Sequence, residues 1–231
     1  MKTSDSRFRQ LAISIDSKGS EPFQLGKLWQ ALSRGVWQFR DVCATNERYI
    51  ALLEAPADPR PLNQRKLRIF EQILLGTPPK VVAIDSGISL SSVTAATQDS
   101  LHAMGLPNRA LHASVILTMA ARALHQPESA PQLGRSTHWE VEGQSFLVVS
   151  AERPDLHFPV ALSLAEAEVL RHLLEGASYA EISGARAVSR RTVANQLATA
   201  FRKLGVSGRR ATIGRLIQHT GAQQPAVSGS F

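Results

Sequence analysis

The apolar positions of residues 162–210 repeat at helical spacing and predict three helices. The first helix keeps an apolar stripe on one side and ends near Gly176, a residue type that commonly terminates helices. Ser178 is placed to cap a short second helix, with Glu181 three residues later as its capping-box partner. Ser189 is placed to cap a longer third helix. Four apolar residues of that helix recur at spacings of four, four and three and so share one face: Val193, Leu197, Phe201 and Leu204.

The opposite face of the third helix is polar and basic. Its residues are Arg190, Arg191, Asn195, Gln196, Thr199, Arg202 and Lys203. A short helix, a tight turn and a capped helix with such a face form the helix-turn-helix arrangement. Arginine and lysine can neutralise phosphates, while asparagine and glutamine can pair with adenine edges in the major groove. The alternative is an ordinary solvated face on a small helical domain, and periodicity alone does not separate the two.

The same stretch resembles the DNA-binding domain of LuxR-type bacterial transcription regulators. The matching positions, without gaps, are Leu164, Glu168-Val169-Leu170, Gly176, Glu181-Ile182, the run from Ser189 to Val193, Asn195, and the run from Arg202 to Val206. The chain also departs from the family's usual residues. Where the family commonly has Ala, Leu and Gly, and then Lys and His, this chain has Ser183, Arg186, Ala187, Ala194 and Gln196.

The resemblance implies a DNA-binding transcription regulator whose 189–204 helix lies in the major groove of double-stranded DNA. The expected DNA-binding residues are Ser189, Arg190, Arg191, Thr192, Asn195, Gln196, Thr199, Arg202, Lys203 and Arg209. Within this set the resemblance assigns the arginines and the lysine to phosphates, and Asn195, Gln196 and Thr199 to bases.

A second copy of the pattern lies 100 residues upstream, because Leu62–Arg109 aligns with Leu162–Arg209 without a gap. The matched pairs include Phe70 with Leu170, Gly76 with Gly176, Ser89 with Ser189, Val93 with Val193, and Gly105 with Gly205. Strand-like pairs precede both copies, at Trp37–Val42 and Arg48–Leu53 and again at Thr137–Val141 and Ser145–Ser150. The alternative is that two unrelated helical segments share a similar periodicity.

These patterns predict a mainly α fold with short β-hairpins, built as two tandem hairpin-plus-helix-turn-helix modules offset by 100 residues. An amphipathic helix is predicted at 23–36 within the first module. The expected boundaries are an N-terminal module at 1–124 with a degenerate helix-turn-helix at 62–109, a linker at 125–136, a C-terminal module at 137–221 with the LuxR-type unit at 162–210, and a flexible tail at 222–231.

Charge separates the two copies. The whole chain carries a net charge of +7 with a pI near 10.2, which favours a polyanionic partner. Residues 189–210 contain six basic residues and no acidic one, whereas residues 89–110 contain only Arg109 against Asp99. Because phosphate neutralisation supplies most non-specific affinity, we expect the first copy to bind DNA weakly or not at all. Its expected role is mainly structural or dimer-like.

The sequence offers no pattern typical of an enzyme. The sequence contains neither of the two common phosphate-binding glycine loops, and it contains no His/Cys cluster. We therefore expect no catalytic residue, cofactor or metal. The single cysteine, Cys43, excludes an internal disulfide and fits a reducing cytoplasm. No apolar run reaches the length of a membrane span, so we expect a cytoplasmic protein with no membrane partner.

Three questions stay open at this level. A protein-interaction adaptor of the transcription machinery, built from degenerate helix-turn-helix modules, is the alternative to a DNA reader. In LuxR-type regulators the fourth helix commonly mediates dimerisation, so the helices over 110–124 and 211–219 could pair within one chain as a pseudo-dimer or between chains as a homodimer. A small-molecule sensor is also possible, although the repeat leaves little chain for a ligand pocket.

Overall fold

The computed structural model describes residues 20–106, 111–127, 133–153 and 160–222, together with residues 10, 13, 14 and 158. Within these ranges the chain forms nine helices and one five-stranded antiparallel sheet. In chain order the elements are β1 (Glu21–Gln24), α1 (Leu25–Ser33), β2 (Gln38–Ala44), β3 (Arg48–Glu54), α2 (Gln64–Leu74), α3 (Pro79–Asp85), α4 (Leu90–Ala103), α5 (Leu111–His125), β4 (Leu133–Val141), β5 (Gln144–Glu152), α6 (Leu164–Leu174), α7 (Tyr179–Ala185), α8 (Arg190–Leu204) and α9 (Arg209–Ala222).

The two predicted hairpins, β2–β3 and β4–β5, join along their inner strands into one sheet with the order β1-β4-β5-β3-β2. β3 and β5 run antiparallel, with Ile50 opposite Ser150 and Ala51 opposite Val149. The sequence predicts the hairpins but not this junction, because pairing between residues 100 positions apart leaves no local pattern. One sheet therefore contains strands from both halves of the chain.

The N-terminal strand β1 corrects the predicted start of the first helix. β1 pairs with the beginning of β4, placing Phe23 opposite Gly134 and Gln24 opposite Leu133. The apolar pattern assigns Phe23 and Gln24 to a helix over 23–36, but α1 begins at Leu25 and ends at Ser33. The same pairing makes residues 133–136, assigned by sequence to the linker, part of a strand. Strand partners from far along the chain outweigh the local preference here.

Two sets of three helices have bounds that differ by 100 residues. α2 and α6 span 64–74 and 164–174, α3 and α7 span 79–85 and 179–185, and α4 and α8 begin at 90 and 190. Their first helices are capped by Asn63 and Ser163, and their third helices by Ser89 and Ser189. The apolar residues on their inner faces are buried in both sets, as are Val93 and Val193.

Helix α5 forms the centre of the molecule. It packs against α1, β2, β3, α2 and α9, and its residues from Ala113 to Ala123 are buried. α9 in turn contacts α2, α5 and α6. Val115, Ile116 and Met119 of α5 belong to the same hydrophobic cluster as three residues of α9: Ile213, Leu216 and Ile217. The two fourth helices of the sequence pattern thus meet within a single chain.

No described helix has the length and apolar character needed to cross a membrane. Of the predicted tail, only Ala222 falls within the described residues, as the last residue of α9.

Candidate nucleic-acid interface

Two capping boxes and a serine cap fix the starts of α6, α7 and α8, which form the predicted helix-turn-helix unit. At the start of α6 the Ser163 N–H donates to Glu166 Oε2 at 2.7 Å, and at the start of α7 the Ser178 N–H donates to Glu181 Oε2 at 2.7 Å. The Ser189 hydroxyl accepts the Thr192 N–H at 3.0 Å and begins α8. These caps satisfy backbone donors that the first helical turn leaves unpaired.

The turn between α7 and α8 contains a residue in the left-handed region. Ala187 has φ 52°, although its position is one where the LuxR family commonly has glycine; the residue 100 positions earlier, Gly87, has φ 61°. A side chain in this region costs about 1–2 kcal/mol relative to a right-handed conformation. The turn is therefore retained with some backbone strain.

The exposed side of α8 presents a short line of unpaired polar residues. Arg191, Asn195 and Arg202 are exposed at spacings of four and seven, which puts them on one face. Arg190 is exposed beside them at the N-terminal end of the helix. Among the described residues none of the four side chains has a hydrogen bond or ion pair, so each is available to a ligand. The inner face is closed by Val193, Leu197, Ala200 and Leu204, which are buried.

Gln196 is held by side chains of its own domain. Its Oε1 accepts a hydrogen bond from Arg186 Nη1 at 2.7 Å, and Arg186 Nε lies 3.0 Å from Glu168 Oε2. Arg186 is half-buried between them. Both Arg186 and Gln196 depart from the usual family residues, and the structure brings these departures together. Two simultaneous departures from the family residues are visible in the sequence and can indicate a contact, but helical spacing alone does not reveal it.

Lys203 and Arg209 are also engaged within the domain. Lys203 Nζ lies 2.7 Å from Glu166 Oε2, and the hydrogen bond from Lys203 lowers the pKa of that carboxyl, with the Ser163 backbone N–H adding to the effect. Arg209 Nη2 donates to the Ala177 carbonyl at 2.9 Å. Desolvation by burial lowers the pKa of Arg209. Both cations therefore connect α8 and α9 to the rest of the domain.

The remaining expected residues are the two that form the cap and one on the flank of the helix. The hydroxyls of Ser189 and Thr192 lie 2.9 Å apart, and Ser189 is exposed. Thr199 is partly buried. The structure thus brings the ten expected residues onto or beside α8, and four of them are exposed without a hydrogen bond or ion pair to another described residue: Arg190, Arg191, Asn195 and Arg202.

The face of α4 at the positions 100 residues earlier carries no free cation of arginine or lysine. Ser91, Ala95, Gln98 and His102 are exposed there. The one acidic residue, Asp99, is paired with Lys66 of α2 at 2.6 Å. This face lacks the free cations that phosphates require.

Within the described part of the chain, no group of three or more His, Cys, Asp or Glu side chains is placed to hold a metal ion.

Comparison with known proteins agrees with this geometry. Residues 160–215, about a quarter of the chain, match the family model described as bacterial regulatory proteins, luxR family. The matched segment contains α6, α7 and α8 and the beginning of α9. No curated protein and no solved structure matches the chain significantly. The resemblance predicted over 162–210 is confirmed: the chain contains a LuxR-type helix-turn-helix domain, which supports a DNA-binding transcription regulator.

Proposed function

We propose that this chain regulates transcription by placing the N-terminal half of α8 in the major groove of duplex DNA. The single observation that carries the proposal is the line of free polar side chains on α8: Arg190, Arg191, Asn195 and Arg202. In helix-turn-helix proteins the N-terminal residues of the second helix contact base edges. Arg190 and Arg191 lie at that end of α8, and Asn195 lies one turn further along.

The roles within this interface follow from which side chains are free. Arg190 and Arg191 hold phosphates at the N-terminal end of α8, and Asn195 reads a base, with adenine as the partner that an amide pairs with in two hydrogen bonds. The Gln196 side chain is hydrogen-bonded to Arg186, so it contacts a base only while it keeps that hydrogen bond. Lys203 and Arg209 stabilise the domain and contribute to the positive field without direct contact.

The N-terminal half is proposed to be a degenerate second copy that serves as an internal partner. Three observations support it: helix bounds that repeat at 100 residues, central strands that pair antiparallel about Ile50 and Ser150, and fourth helices that meet inside one chain. The antiparallel strand pairing and the contact between α5 and α9 are what an approximate two-fold arrangement would produce. The chain would then act as a pseudo-dimer with one DNA-reading surface.

A second candidate function, a protein-interaction adaptor, is favoured by the surface of the first copy. Val81, Ile84 and Leu90 are exposed on α3 and at the start of α4, and Ile84 has 79% of its surface exposed. A contiguous patch of exposed apolar side chains is typical of a protein contact site. A bacterial two-hybrid assay against RNA polymerase subunits tests this function. If the chain is an adaptor, the assay should give an interaction signal that Ile84→Asp abolishes. The absence of any signal would argue against the adaptor function.

The DNA-reading function is tested by fluorescence anisotropy of labelled duplex DNA at several salt concentrations. Arg190→Ala/Arg191→Ala should weaken binding and reduce the slope of log affinity against log salt by about two, because each phosphate contact contributes about 0.9. The matched control is Arg65→Ala/Arg68→Ala, which removes the same charge from exposed positions of α2. Equal losses in both variants, or weak binding that does not depend on salt, would contradict the proposal.

A further inference from the structure

A cavity of about 310 Å³ lies between the two halves of the molecule. It is found where the C-terminal end of α8 and the first turns of α9 meet the end of α2 and the side of α5. Three arginines line it, one from each of three helices: Arg122 of α5, Arg202 of α8 and Arg215 of α9. Its lining contains no acidic residue.

Arg122 is a buried cation that forms no ion pair with another described residue. It is 1% exposed, and its Nη2 donates to the Leu75 carbonyl at 2.8 Å while Nη1 donates to Gln126 Oε1 at 3.1 Å. Within the described residues, its Nε has no hydrogen-bond partner. Desolvation by burial lowers the pKa of Arg122. A buried charge is costly unless it is paired and fully hydrogen-bonded, so an anion beside Arg122 would stabilise it.

The nearest acidic residue on α2 does not supply that anion. Glu71 Oε1 accepts a hydrogen bond from Trp29 Nε1 at 2.7 Å and lies 3.0 Å from His125 Nε2. Glu71 is not among the residues that line the cavity. Its carboxylate therefore contacts α1 and α5 and not the cavity.

The backbone is shaped to admit the Arg122 guanidinium. A Cβ atom at position 214 of α9 would lie 3.1 Å from Arg122 Nη2, and one at position 76 would lie 3.5 Å from the same atom. Both positions are glycine. α9 closes over the guanidinium at this distance because Gly214 has no side chain, which brings Arg122 and Arg215 to the same cavity.

Arg202 and Arg215 complete a set of cations that converge from both halves of the chain. Both side chains are exposed, and neither forms an ion pair with another described residue. Arginine presents a planar fork of donors that matches the oxygens of phosphate and carboxylate groups. Three such forks around one small cavity constitute a site for an anion.

We propose that this cavity binds a small organic anion that carries a phosphate or carboxylate group. The ligand accepts hydrogen bonds from Arg122 at the base of the cavity and from Arg202 and Arg215 at its rim. The volume is at the lower end of small-molecule sites, so the ligand is a single small metabolite.

The geometry favours a small anion over the phosphate backbone of DNA. α8 has 15 residues and is about 22 Å long, so the cavity at its C-terminal end is far from the end that enters the groove. At 1% exposure, Arg122 lies too deep in the protein to contact the surface of a duplex. A free metabolite can enter the cavity, whereas a duplex cannot.

The test is isothermal titration calorimetry of the full chain with inorganic phosphate and, separately, with citrate, each against sodium chloride of equal ionic strength. The proposal expects saturable binding of at least one of the two anions, and the stronger one identifies the ligand chemistry. Arg215→Ala should weaken that binding at least about tenfold, the effect of one lost charge-assisted contact. Arg215 is exposed, so this variant avoids the folding risk of a change at Arg122.

Arg65→Ala is the matched control, because it removes an exposed arginine from the first turn of α2, and Arg65 does not line the cavity. It should leave anion binding unchanged. The proposal is overturned if neither anion binds saturably, or if the two variants lose affinity equally. It is also overturned if only duplex DNA binds and Arg215→Ala weakens that binding, since the cavity arginines would then be phosphate contacts of the DNA interface.

Discussion

At the scale of single residues, the domain departs from simple local rules at the turn between α7 and α8. Ala187 has a positive φ, and Gly87, 100 residues earlier, has a similar φ. The space beside Gly87 is open, so a methyl group added there meets no atom within 4 Å. The two positions form a natural pair for measuring backbone strain.

We expect Ala187→Gly to stabilise the protein and Gly87→Ala to destabilise it. The left-handed conformation costs an alanine about 1–2 kcal/mol, of which the larger unfolded-state entropy of glycine offsets about 0.4–1 kcal/mol. The net change should be about 0.5–1 kcal/mol in each direction, measured as a shift in the urea midpoint. Destabilisation by Ala187→Gly would show that its methyl group makes a contact that the turn needs.

The Lys203–Glu166 pair predicts a pH dependence of stability. Its hydrogen bond from Lys203 lowers the pKa of Glu166 below the ordinary value of 4.5. The stabilisation is therefore present above that ordinary value and is lost as the pH falls through the folded-state pKa. Lys203→Met should make the loss of stability between pH 6 and pH 3 shallower in urea titrations.

Glu140→Gln provides the control for this pH dependence, because Glu140 is exposed on β4 and has no hydrogen bond or ion pair among the described residues. It should leave the acid limb of the stability curve unchanged. If Lys203→Met and wild type lose stability in parallel, the pair does not contribute as proposed.

At the scale of secondary-structure elements, the helices of the second half were predictable because their signals are local. Ser178 and Ser189 mark the starts of α7 and α8 in the sequence and cap them in the structure, whereas the Ser163 cap of α6 was not predicted. Sequence could not show which polar residues of α8 are free. That depends on partners such as Glu166 and Glu168, which approach through tertiary packing. The predicted DNA-binding set was therefore wider than the free surface.

Two residues of α8 should differ in what their loss does to DNA binding. Asn195→Ala should reduce discrimination between a sequence selected from a random duplex pool and its scrambled version by about tenfold, because a good bidentate contact contributes about 1–3 kcal/mol. Arg191→Ala should weaken binding to both duplexes about equally, because a phosphate contact carries no sequence information. Competition anisotropy measures both effects, and the reverse pattern would contradict the assigned roles.

At the scale of the whole molecule, the two halves are joined more closely than a linker arrangement implies. β3 and β5 form the centre of the sheet, β1 pairs with β4, and α5 contacts α9. The hairpins were predictable from strand composition. The pairing of the two hairpins in one sheet was not predictable, because the same strand composition is equally compatible with two separate sheets.

This union predicts that the full chain unfolds in one transition. The main hydrophobic cluster contains residues of both halves, so neither half keeps its core when the other opens. Differential scanning calorimetry should give a single peak whose calorimetric and van't Hoff enthalpies agree. Two resolved peaks would show that the halves are independent domains.

The most direct measurement of the central claim is amide NMR of the full chain during titration with duplex DNA. We expect chemical-shift changes to concentrate at the N-terminal half of α8, between Arg190 and Asn195, and to be absent from residues 90–95 of α4. That result would identify the second copy as the DNA reader. Shifts concentrated on α4, or no shifts on α8 at DNA concentrations that saturate binding, would contradict the account.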